Sequence, residues 1–458
     1  MYSFYFNEVK QAYELTEMVR MFLPKSEFTI LDSDPLKSEA IIEGIIIRIP
    51  DSITNKDEGK RYIYDKLKEY TGKTIEWGTL TGVRPVTIVG TLFKAGHDEN
   101  QVLEVLKNYY YLDEKKAELL LATRKTQQPY LDSLSKGSIA VYVGIPFCPT
   151  RCVYCSFPSN QVGYDQIKRY LDTLKNEIVF AGSAAAKAGL YAESIYIGGG
   201  TPTVLEDKDL EELLKTVSEN FDFSRVLEFT VEAGRPDTIT ESKLKILKEY
   251  GVDRISINPQ SMKQETLERI GRHHSPEDIV SAFTIAKRVG FNVINADLIA
   301  GLPEETLDDF SHSLRCIMKL EPENITVHTL AVKRSSKLKE IDENYSYKHG
   351  MEVRQMLEYG HDILTKGAYK PYYLYRQKQT AGNLENVGYA LSGKEGIYNI
   401  RIMEENQTVL ALGAGGISKV CYPDENRLER VPNVTNFEIY IERIEDMMER
   451  KKNGIFNI

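Results

Sequence analysis

The chain has 458 residues, more than one ordinary domain needs, so its length suggests two or three domains. Hydrophobic residues make up 42% and charged residues 27% of the chain, as in a soluble protein with ample material for a core. The net charge of −9 argues against a nucleic-acid-binding protein, because phosphate binding needs a clustered excess of Lys and Arg.

The N-terminal sequence MYSFYFNEVKQ has neither a positive leader nor a long apolar run, so we expect no signal peptide. The most apolar stretches, such as AIIEGIIIRIP at 40–50, are too short and too interrupted to span a bilayer. These features predict a cytoplasmic protein whose thiols stay reduced. Cys316 and Cys421 stand alone in the sequence and are expected to be free buried thiols.

Residues 1–135 predict a small α/β unit. YSFYF is strand-like, EVKQAYELTEMVRMFL has an amphipathic helical pattern, and AIIEGIIIRI is again strand-like. Helical stretches follow near 58–70, in RPVTIVGTLFKAG, and through QVLEVLKNYYYLDEKKAELLLATRK with a break. The polar stretch TQQPYLDSLSKG at 126–137 predicts a linker at the domain boundary, since Pro and Gly interrupt regular structure.

From residue 138, short runs rich in β-branched residues alternate with amphipathic helical patterns. The runs are SIAVYVGI, SIYIGG, VLEFTVEA, DRISINP, NVINADLIA and NITVHTL. Such alternation predicts a parallel sheet of βα units, and six units favour a barrel or partial barrel. The chemistry of such barrels lies at the carboxyl ends of the strands. Past about 370 the pattern becomes irregular and ends in a helix, NFEIYIERIEDMMERKKNG.

Three cysteines follow the first of these strands, with the spacing Cys148-x3-Cys152-x2-Cys155. A structural zinc site needs four ligands, usually as two separated pairs, and the sequence offers no second pair. Three thiolates suit a [4Fe-4S] cluster with one iron left open, and such clusters reach low reduction potentials. A purely structural cluster or zinc site is the alternative interpretation.

Glycines and carboxylates stand at the ends of the next strands. Gly198, Gly199 and Gly200 in YIGGGTPT would let a ligand approach the backbone closely, although a tight turn also explains a glycine triplet. Glu232 in EFTVEAGRP and Asp297 in NADLIAGLP stand at predicted strand ends in an apolar context. Ligand contact explains these two carboxylates better than a solvated surface does.

These motifs, in this order, resemble the radical S-adenosylmethionine superfamily. The resemblance implies a radical-SAM partial (β/α)6 TIM-like barrel core at 136–370, a small N-terminal α/β accessory domain at 1–135, and an irregular α+β substrate-covering region at 371–458. It also implies that the open iron binds S-adenosylmethionine, whose reductive cleavage gives a 5′-deoxyadenosyl radical. The implied cluster ligands are Cys148, Cys152 and Cys155. The implied cofactor contacts are Tyr142, Tyr154, Gly199, Gly200, Thr201, Glu232, Gln260, Arg272 and Asp297.

Within the superfamily, YVGIPFC, RCVYCSF, GGGTPT, NPQS, DLIAGLP and LGAGGIS resemble the oxygen-independent coproporphyrinogen III oxidase group. Residues 1–135 and YYLYRQKQTAGNLENVGYA at 372–390 are most similar to its coproporphyrinogen dehydrogenase branch, HemZ. The resemblance implies oxidative decarboxylation of two propionates of coproporphyrinogen III to vinyls, which yields protoporphyrinogen IX in haem biosynthesis. Two S-adenosylmethionines are consumed, and an electron donor such as flavodoxin or ferredoxin is implied.

Two positions depart from the best-studied oxidase branch: Phe157 stands in place of a fourth cysteine and Gly144 in place of a histidine. The haem chaperone branch, HemW, shares the cysteine triad followed by Phe. Its HNxxYW signature, however, reads ENVGYA here, with Glu385 and Ala390 in place of His and Trp. A haem-binding chaperone and a radical enzyme acting on another tetrapyrrole, such as haem, are therefore the alternatives.

A substrate with several propionates calls for Arg and Lys near the cavity, because a guanidinium pairs with a carboxylate through two hydrogen bonds. The candidates are Arg376, Lys378, Lys333 and Arg334, with ordinary solvated bases as the alternative. The adjacent His273 and His274 favour a surface or capping role over ligation, because neighbouring side chains diverge. LGAGG at 412–416 either holds an anion or forms a tight turn.

Overall fold

The computed structural model of the chain describes residues 1–6, 12–32, 34, 44–157, 159–332, 349–377, 380–422, 425 and 427–456. Its strands form two sheets within these residues, one of three strands and one of eleven. The smaller sheet belongs to the N-terminal region. The larger one carries the strands of the predicted barrel and of the C-terminal region.

The N-terminal region is a small parallel sheet covered by helices, as the sequence predicts. Its strands, in the spatial order β2-β1-β3, are β1 (Tyr2–Tyr5), β2 (Phe28–Ile30) and β3 (Ile45–Arg48). Its helices are α1 (Ala12–Phe22), α2 (Lys56–Thr71), α3 (Val86–Lys94), α4 (Glu99–Glu104) and α5 (Glu114–Asp132). Phe4, Met18 and Ile63 are fully buried, so strand β1 and helices α1 and α2 share one apolar core.

Parallel strands occupy the centre of the larger sheet, and each predicted run forms one of them. They are β4 (Ser138–Ile145), β5 (Tyr191–Gly199), β6 (Glu228–Gly234), β7 (Arg254–Gln260), β8 (Val293–Ala300) and β9 (Asn324–Thr329). Each strand pairs in parallel with the next one along the chain. This arrangement is the predicted partial (β/α)6 barrel.

Helices connect these strands and cover the outside of the sheet. They are α6 (Tyr164–Lys187), α7 (Asp207–Asn220), α8 (Glu241–Glu249), α9 (Gln264–Arg269), α10 (Pro276–Val289) and α11 (Leu307–Lys319). Helix α7 shows why they pack: it buries Leu210, Leu213, Leu214 and Val217, whose spacing places them on one face. Among the described helices, none is long and apolar enough to cross a membrane.

The C-terminal region contributes strands to both edges of the same sheet. Its elements are α12 (Gly350–Lys366), β10 (Lys370–Arg376), β11 (Glu385–Ala390), α13 (Ile397–Glu404), β12 (Thr408–Leu412), β13 (Ile417–Tyr422), β14 (Arg427–Pro432), α14 (Phe437–Glu442) and α15 (Ile444–Lys451). Strand β11 pairs with β9, and β12 pairs with β4. The predicted closing helix is thus two helices, and the predicted domain boundaries stay a prediction.

The predicted linker at 126–137 is wrong over its first half, because helix α5 continues through Pro129 to Asp132. Gln127 is fully buried, and the carbonyl of Tyr130 accepts a hydrogen bond from Arg401 at 2.7 Å. Proline inside a helix removes one backbone hydrogen bond and costs roughly 3 kcal/mol. Packing of α5 against strand β10 and helix α13 outweighs that cost here, and no local pattern could show this.

Candidate functional site

The cysteine loop leaves the carboxyl end of β4 and is tied down on both sides. The Cys148 amide donates to the Asn160 carbonyl at 3.1 Å, which closes the loop on itself. The Val153 amide donates to the Ile270 carbonyl at 3.1 Å, which fastens the loop to the segment after β7. Arg235, at the end of β6, donates to the Thr150 hydroxyl at 2.7 Å. The loop is therefore held by one contact within itself and by contacts to the end of β6 and to the segment that follows β7.

The three thiols of this loop are partly or fully withdrawn from solvent. Cys152 is buried, and burial raises the pKa of the Cys148 thiol to about 11 and also raises that of Cys155. In the described ranges, no three His, Cys, Asp or Glu side chains already stand close enough to hold one metal ion. Each thiolate of a [4Fe-4S] cluster binds a different iron, so three such ligands need not lie within reach of one ion. Phe157, at the fourth-cysteine position, is 60% exposed.

The glycine motif packs the end of β5 directly onto the cysteine loop. A Cβ at Gly200 would lie 2.3 Å from the Phe147 carbonyl oxygen, and the Thr201 amide donates to that carbonyl at 2.8 Å. Gly199 has φ +115°, which side chains rarely allow. The Thr201 hydroxyl donates to Cys148 Sγ at 3.5 Å. The glycines therefore allow close approach, and at Gly200 the group that approaches is the chain's own backbone at Phe147.

Glu232 lies at the end of β6 beside the glycine motif. Its carboxylate accepts hydrogen bonds from the Tyr196 hydroxyl at 2.6 Å and from the Gly199 amide at 3.2 Å. A Cβ at Gly198 would lie 2.9 Å from the Glu232 carboxyl carbon, so glycine leaves room for this side chain. Burial, helped by the charge of Asp297, raises the pKa of Glu232 to about 7. This carboxyl therefore titrates near neutral pH.

The pKa of Asp297, near the end of β8, is shifted in the opposite direction to that of Glu232. Its Oδ1 accepts a hydrogen bond from Asn295 Nδ2 at 2.7 Å, and its Oδ2 lies 3.6 Å from His328 Nε2 on β9. Burial raises the pKa of Asp297, but the interactions with His328 and Asn295 outweigh burial and lower the pKa below its ordinary value. Asp297 is therefore ionised at neutral pH.

Gln260 and Arg272 carry buried polar atoms that could bind a ligand. Gln260, at the end of β7, has φ +67°, and its Oε1 has no hydrogen-bond partner within the described chain. Arg272 donates from Nη1 to the Asn258 carbonyl and contacts Tyr154 and Cys152, whereas its Nε finds no partner there. Buried polar atoms normally have partners, so these atoms fit a site completed by a bound group.

Tyr142 lies among stacked rings at the base of this site. Its ring stacks on Tyr196 at 6.2 Å and on Tyr398 at 6.5 Å between centroids, and its hydroxyl lies close to Gly199. Tyr196, Tyr398 and His328 are site residues that the sequence reasoning missed. Tyr196 could have been found, because alternation along β5 places it on the same face as Gly198. Tyr398 comes from helix α13 and has no local signal.

Of the four candidate substrate contacts, the structure describes only Arg376. Lys333, Arg334 and Lys378 lie outside the described residues. Arg376 is buried on the other side of β10: it donates to the Leu80 carbonyl and, at 2.9 Å, to the Asn383 carbonyl. Its guanidinium also lies over the Trp77 ring at 4.9 Å. The structure therefore gives Arg376 a role in joining the N-terminal region, and we do not retain it as a substrate contact.

LGAGG is a tight turn, because its amides already have protein partners. Gly413 donates to Glu177 at 2.7 Å, Ala414 to the Tyr170 hydroxyl at 3.0 Å, and Gly415 to the Val434 carbonyl at 2.8 Å. An anion would find no free amide among these three.

Of the two adjacent histidines, only His273 has the predicted surface position. His274 is buried, and burial lowers its pKa to about 4, so the prediction of a surface or capping role was wrong for it. The isolated cysteines, Cys316 and Cys421, are free thiols and are partly rather than fully buried.

A cysteine triad after the first strand of a partial (β/α)6 barrel, with carboxylates at later strand ends, defines a class of iron–sulfur radical proteins. The Radical SAM superfamily profile accordingly matches residues 142–317. The oxygen-independent coproporphyrinogen-III oxidase-like protein HemZ of Bacillus subtilis (strain 168) is 37% identical over 467 residues, which cover 98% of this chain and 93% of that protein. The chain belongs to the radical SAM superfamily and, within it, to the family of these coproporphyrinogen-III oxidase-like proteins.

Other relatives match shorter parts of the chain. The heme chaperone HemW of Bacillus subtilis (strain 168) is 38% identical over 195 residues, which cover 42% of this chain and 50% of that protein. The solved structure of coproporphyrinogen III oxidase (HemN) from Escherichia coli, a radical SAM enzyme, has a TM-score of 0.54 at 22% identity. It covers 71% of this chain and 73% of its own, and it shares the fold.

As a member of this superfamily, the chain uses a [4Fe-4S] cluster and S-adenosylmethionine. The residues present fit both groups. Three cysteines on one short loop supply soft ligands of the kind that iron–sulfur clusters take. The unpartnered atoms of Gln260 and Arg272 and the approach allowed by Gly199 suit a polar cofactor beside that loop.

Proposed function

We propose that the chain is an oxygen-independent coproporphyrinogen III dehydrogenase, which decarboxylates two propionates of coproporphyrinogen III to vinyls and so yields protoporphyrinogen IX. The observation that carries this proposal is the similarity to HemZ, which runs through 98% of the chain. That similarity includes the N-terminal region and most of the C-terminal region, whereas the HemW relatives match between 42% and 62% of the chain. A low-potential donor such as flavodoxin or ferredoxin would supply the electrons.

In this proposal the thiolates of Cys148, Cys152 and Cys155 hold the cluster. When bound, the reduced cluster and S-adenosylmethionine would together supply a 5′-deoxyadenosyl radical able to take a hydrogen atom from a propionate. The propionate would then lose CO2 and pass one electron to an acceptor, which leaves the vinyl. The residues proposed to contact the cofactor are Tyr142, Tyr154, Gly199, Gly200, Thr201, Glu232, Gln260, Arg272 and Asp297. The task of the protein is to position the cofactor and to exclude water, which would quench reactive species.

The two carboxylates have different proposed tasks. Ionised Glu232 accepts hydrogen bonds from the amino group of the cofactor, while Tyr196 keeps its carboxylate oriented at 2.6 Å. Asp297, which is ionised at neutral pH, binds the ribose hydroxyls. The free atoms Gln260 Oε1 and Arg272 Nε complete the set of polar partners around the cofactor.

A haem chaperone is the second candidate, because HemW relatives also match a large part of the chain. Glu385, however, stands where the HemW signature has histidine. Its two oxygens accept hydrogen bonds from Trp77 Nε1 at 2.9 Å and from Lys116 Nζ. Glu385 is therefore committed to contacts with the N-terminal region and offers no imidazole to haem iron, which favours the enzyme over the chaperone.

The test is turnover under anaerobic conditions with reconstituted cluster, reductant, S-adenosylmethionine and coproporphyrinogen III. We expect protoporphyrinogen IX and 5′-deoxyadenosine in a ratio of about one to two, because each propionate consumes one cofactor. Stable haem binding without conversion of coproporphyrinogen would support the chaperone instead. Consumption of haem with release of 5′-deoxyadenosine would assign a different tetrapyrrole reaction.

Two cysteine variants control this experiment. Cys152→Ala should lose the brown chromophore, most of the iron and both products. Cys316→Ala should keep all three, because Cys316 is a free thiol on helix α11, next to His312, away from the cysteine loop. Unchanged iron content in Cys152→Ala would show that the cluster assignment is wrong.

A further inference from the structure

His328 lies in the interior of the barrel with each ring nitrogen facing a different partner. Its Nε2 is 3.6 Å from Asp297 Oδ2, and its Nδ1 is 3.3 Å from the hydroxyl of Tyr375. The side chains of Asp297 and His328 keep 17% and 25% of their surface exposed, so both border the open interior. Strands β8, β9 and β10 of one sheet therefore bring together a carboxylate, an imidazole and a phenol, and β11 lies between β9 and β10.

The Tyr375 contact fixes which hydrogen the imidazole presents to Asp297. Burial raises the pKa of Tyr375, so its hydroxyl stays protonated and can donate to Nδ1 of a neutral imidazole. The hydrogen of that imidazole then lies on Nε2. A protonated imidazole carries hydrogens on both nitrogens. In either charge state Nε2–H faces Asp297.

Asp297 is held from its other side by a second chain of hydrogen bonds. Asn295 Nδ2 donates to Asp297 Oδ1 at 2.7 Å and to the Ser256 hydroxyl at 2.8 Å, while Asn295 Oδ1 accepts from the Thr326 hydroxyl at 3.1 Å. Oδ1 therefore has the Asn295 donor, Oδ2 faces the His328 imidazole at 3.6 Å, and both oxygens keep further lone pairs. Two oxygens with fixed direction and free lone pairs suit a pair of adjacent hydroxyl groups.

We infer that His328 is a positioning residue that orients the Asp297 carboxylate towards the ribose hydroxyls of S-adenosylmethionine, with Tyr375 fixing the imidazole. The inference rests on the proposed role of Asp297 in cofactor binding and does not depend on which tetrapyrrole is the substrate. A partner that orients a ligating group contributes to affinity without touching the ligand itself. Loss of His328 should therefore weaken the binding of ligands that carry the ribose and leave other ligands unaffected.

The test measures S-adenosylhomocysteine binding by calorimetry on the anaerobic, cluster-reconstituted protein. We expect His328→Leu to weaken binding about tenfold, the usual scale for one hydrogen bond to a charged group. His328→Gln retains a donor and should recover most of the affinity. L-methionine lacks the ribose, so its affinity should be the same in the native protein and in His328→Leu. Equal weakening for methionine would show a general distortion and overturn the inference.

Two tyrosines on the neighbouring strands β10 and β11 give a matched control. Tyr375→Phe removes the hydroxyl that faces His328 and should weaken S-adenosylhomocysteine binding a few-fold. Tyr389→Phe removes a hydroxyl that faces His361 instead, at 3.3 Å, and should leave binding unchanged. Phenylalanine keeps the ring in both variants.

Asp297→Asn separates failure of the inference from failure of the proposed role of Asp297. If Asp297→Asn weakens binding and His328→Leu does not, the positioning role is overturned while the proposed cofactor contact stands. If Asp297→Asn also binds normally, the proposed contact fails and the inference fails with it. Neither result bears on turnover of coproporphyrinogen III, which is measured separately.

Discussion

At the scale of single residues, the neighbours of two carboxylates in one site shift the pKa values of these groups in opposite directions. Glu232 is withdrawn from water and has one hydroxyl and one amide as donors, and burial raises its pKa to about 7. Asp297 has an imidazole and an amide, and its pKa falls below the ordinary value. The imidazole of His328 lies 3.6 Å from Asp297, and the charge of Asp297 adds to the shift of the Glu232 pKa.

This difference predicts a pH dependence of cofactor binding. A raised pKa means that Glu232 loses its charge as the pH falls through about 7. Between pH 8 and pH 6 the ionised fraction drops from about nine-tenths to about one-tenth. S-adenosylhomocysteine should therefore bind roughly tenfold more weakly at pH 6 than at pH 8, as measured by calorimetry.

Two variants identify the group that titrates. Glu232→Gln should bind more weakly and show almost no slope between these pH values. His328→Gln should keep the slope, although its affinity is lower, because Glu232 is still present. If the full slope persists in Glu232→Gln, another group is responsible and the proposed contact between Glu232 and the cofactor is wrong.

At the scale of elements, one buried carboxylate ties helix α6, the LGAGG turn and helix α15 together. Glu177 accepts hydrogen bonds from the Gly413 amide at 2.7 Å, the Tyr440 hydroxyl at 2.6 Å, Asn433 Nδ2 at 2.9 Å and Lys451 Nζ at 2.8 Å. The side chains of Glu177 and Lys451 are fully buried. The ring of Phe147, at the start of the cysteine loop, packs against Tyr170 of helix α6 and Phe437 of helix α14. The network around Glu177 therefore supports the elements on which the cysteine loop rests.

Lys451→Met should strongly destabilise the protein, because it leaves the Glu177 carboxylate buried without a cation. Removing one partner of a buried pair typically costs about 3–5 kcal/mol, which would lower the midpoint of thermal unfolding by several degrees. The adjacent Lys452 pairs with Glu449 at the surface, at 3.5 Å, so Lys452→Met is the matched control and should change little. Equal midpoints for the two variants would contradict the assigned importance of the buried pair.

At the scale of the whole molecule, the N-terminal region is joined to the barrel by buried charges as well as apolar packing. Lys116 on helix α5 contacts Glu385 on β11 and lies 3.2 Å from Glu76. Trp77 donates to Glu385, and its ring faces the guanidinium of Arg376 on β10. The contacts use the face of the β10–β11 hairpin opposite to His328. We therefore expect residues 1–135 to support the hairpin that carries Tyr375.

Lys116→Met should loosen this junction, since the buried carboxylate of Glu385 then loses its cation, whereas Glu76 keeps Arg354. Limited thermolysin digestion should cut the variant about tenfold faster if opening becomes easier by about 1.4 kcal/mol. Lys115, its exposed neighbour, pairs with Glu358 at 3.0 Å, and Lys115→Met should be digested at the rate of the native protein. Unchanged digestion of Lys116→Met would mean that apolar packing alone holds the junction.

Local patterns were sufficient for the barrel and for the cysteine triad. The runs from SIAVYVGI to NITVHTL form strands β4 to β9, because β-branched residues in short apolar runs fit a sheet that is covered on both faces. The spacing of Cys148, Cys152 and Cys155 places three thiols within eight residues of the chain. Glu232 and Asp297 could also be named, since strand ends of parallel units meet at one edge.

Partners that are distant in sequence were decided only by tertiary structure. Arg376 and Tyr375 are adjacent, yet alternation along β10 turns one towards Trp77 and the other towards His328. The sequence contains that alternation but does not say which face of the strand meets the barrel interior. Helix α5 likewise continues past Pro129 because of what it packs against. The sequence alone determined which cysteines and carboxylates stand at the strand ends. Strand register and packing decided which other side chains orient them, because those contacts join residues far apart along the chain.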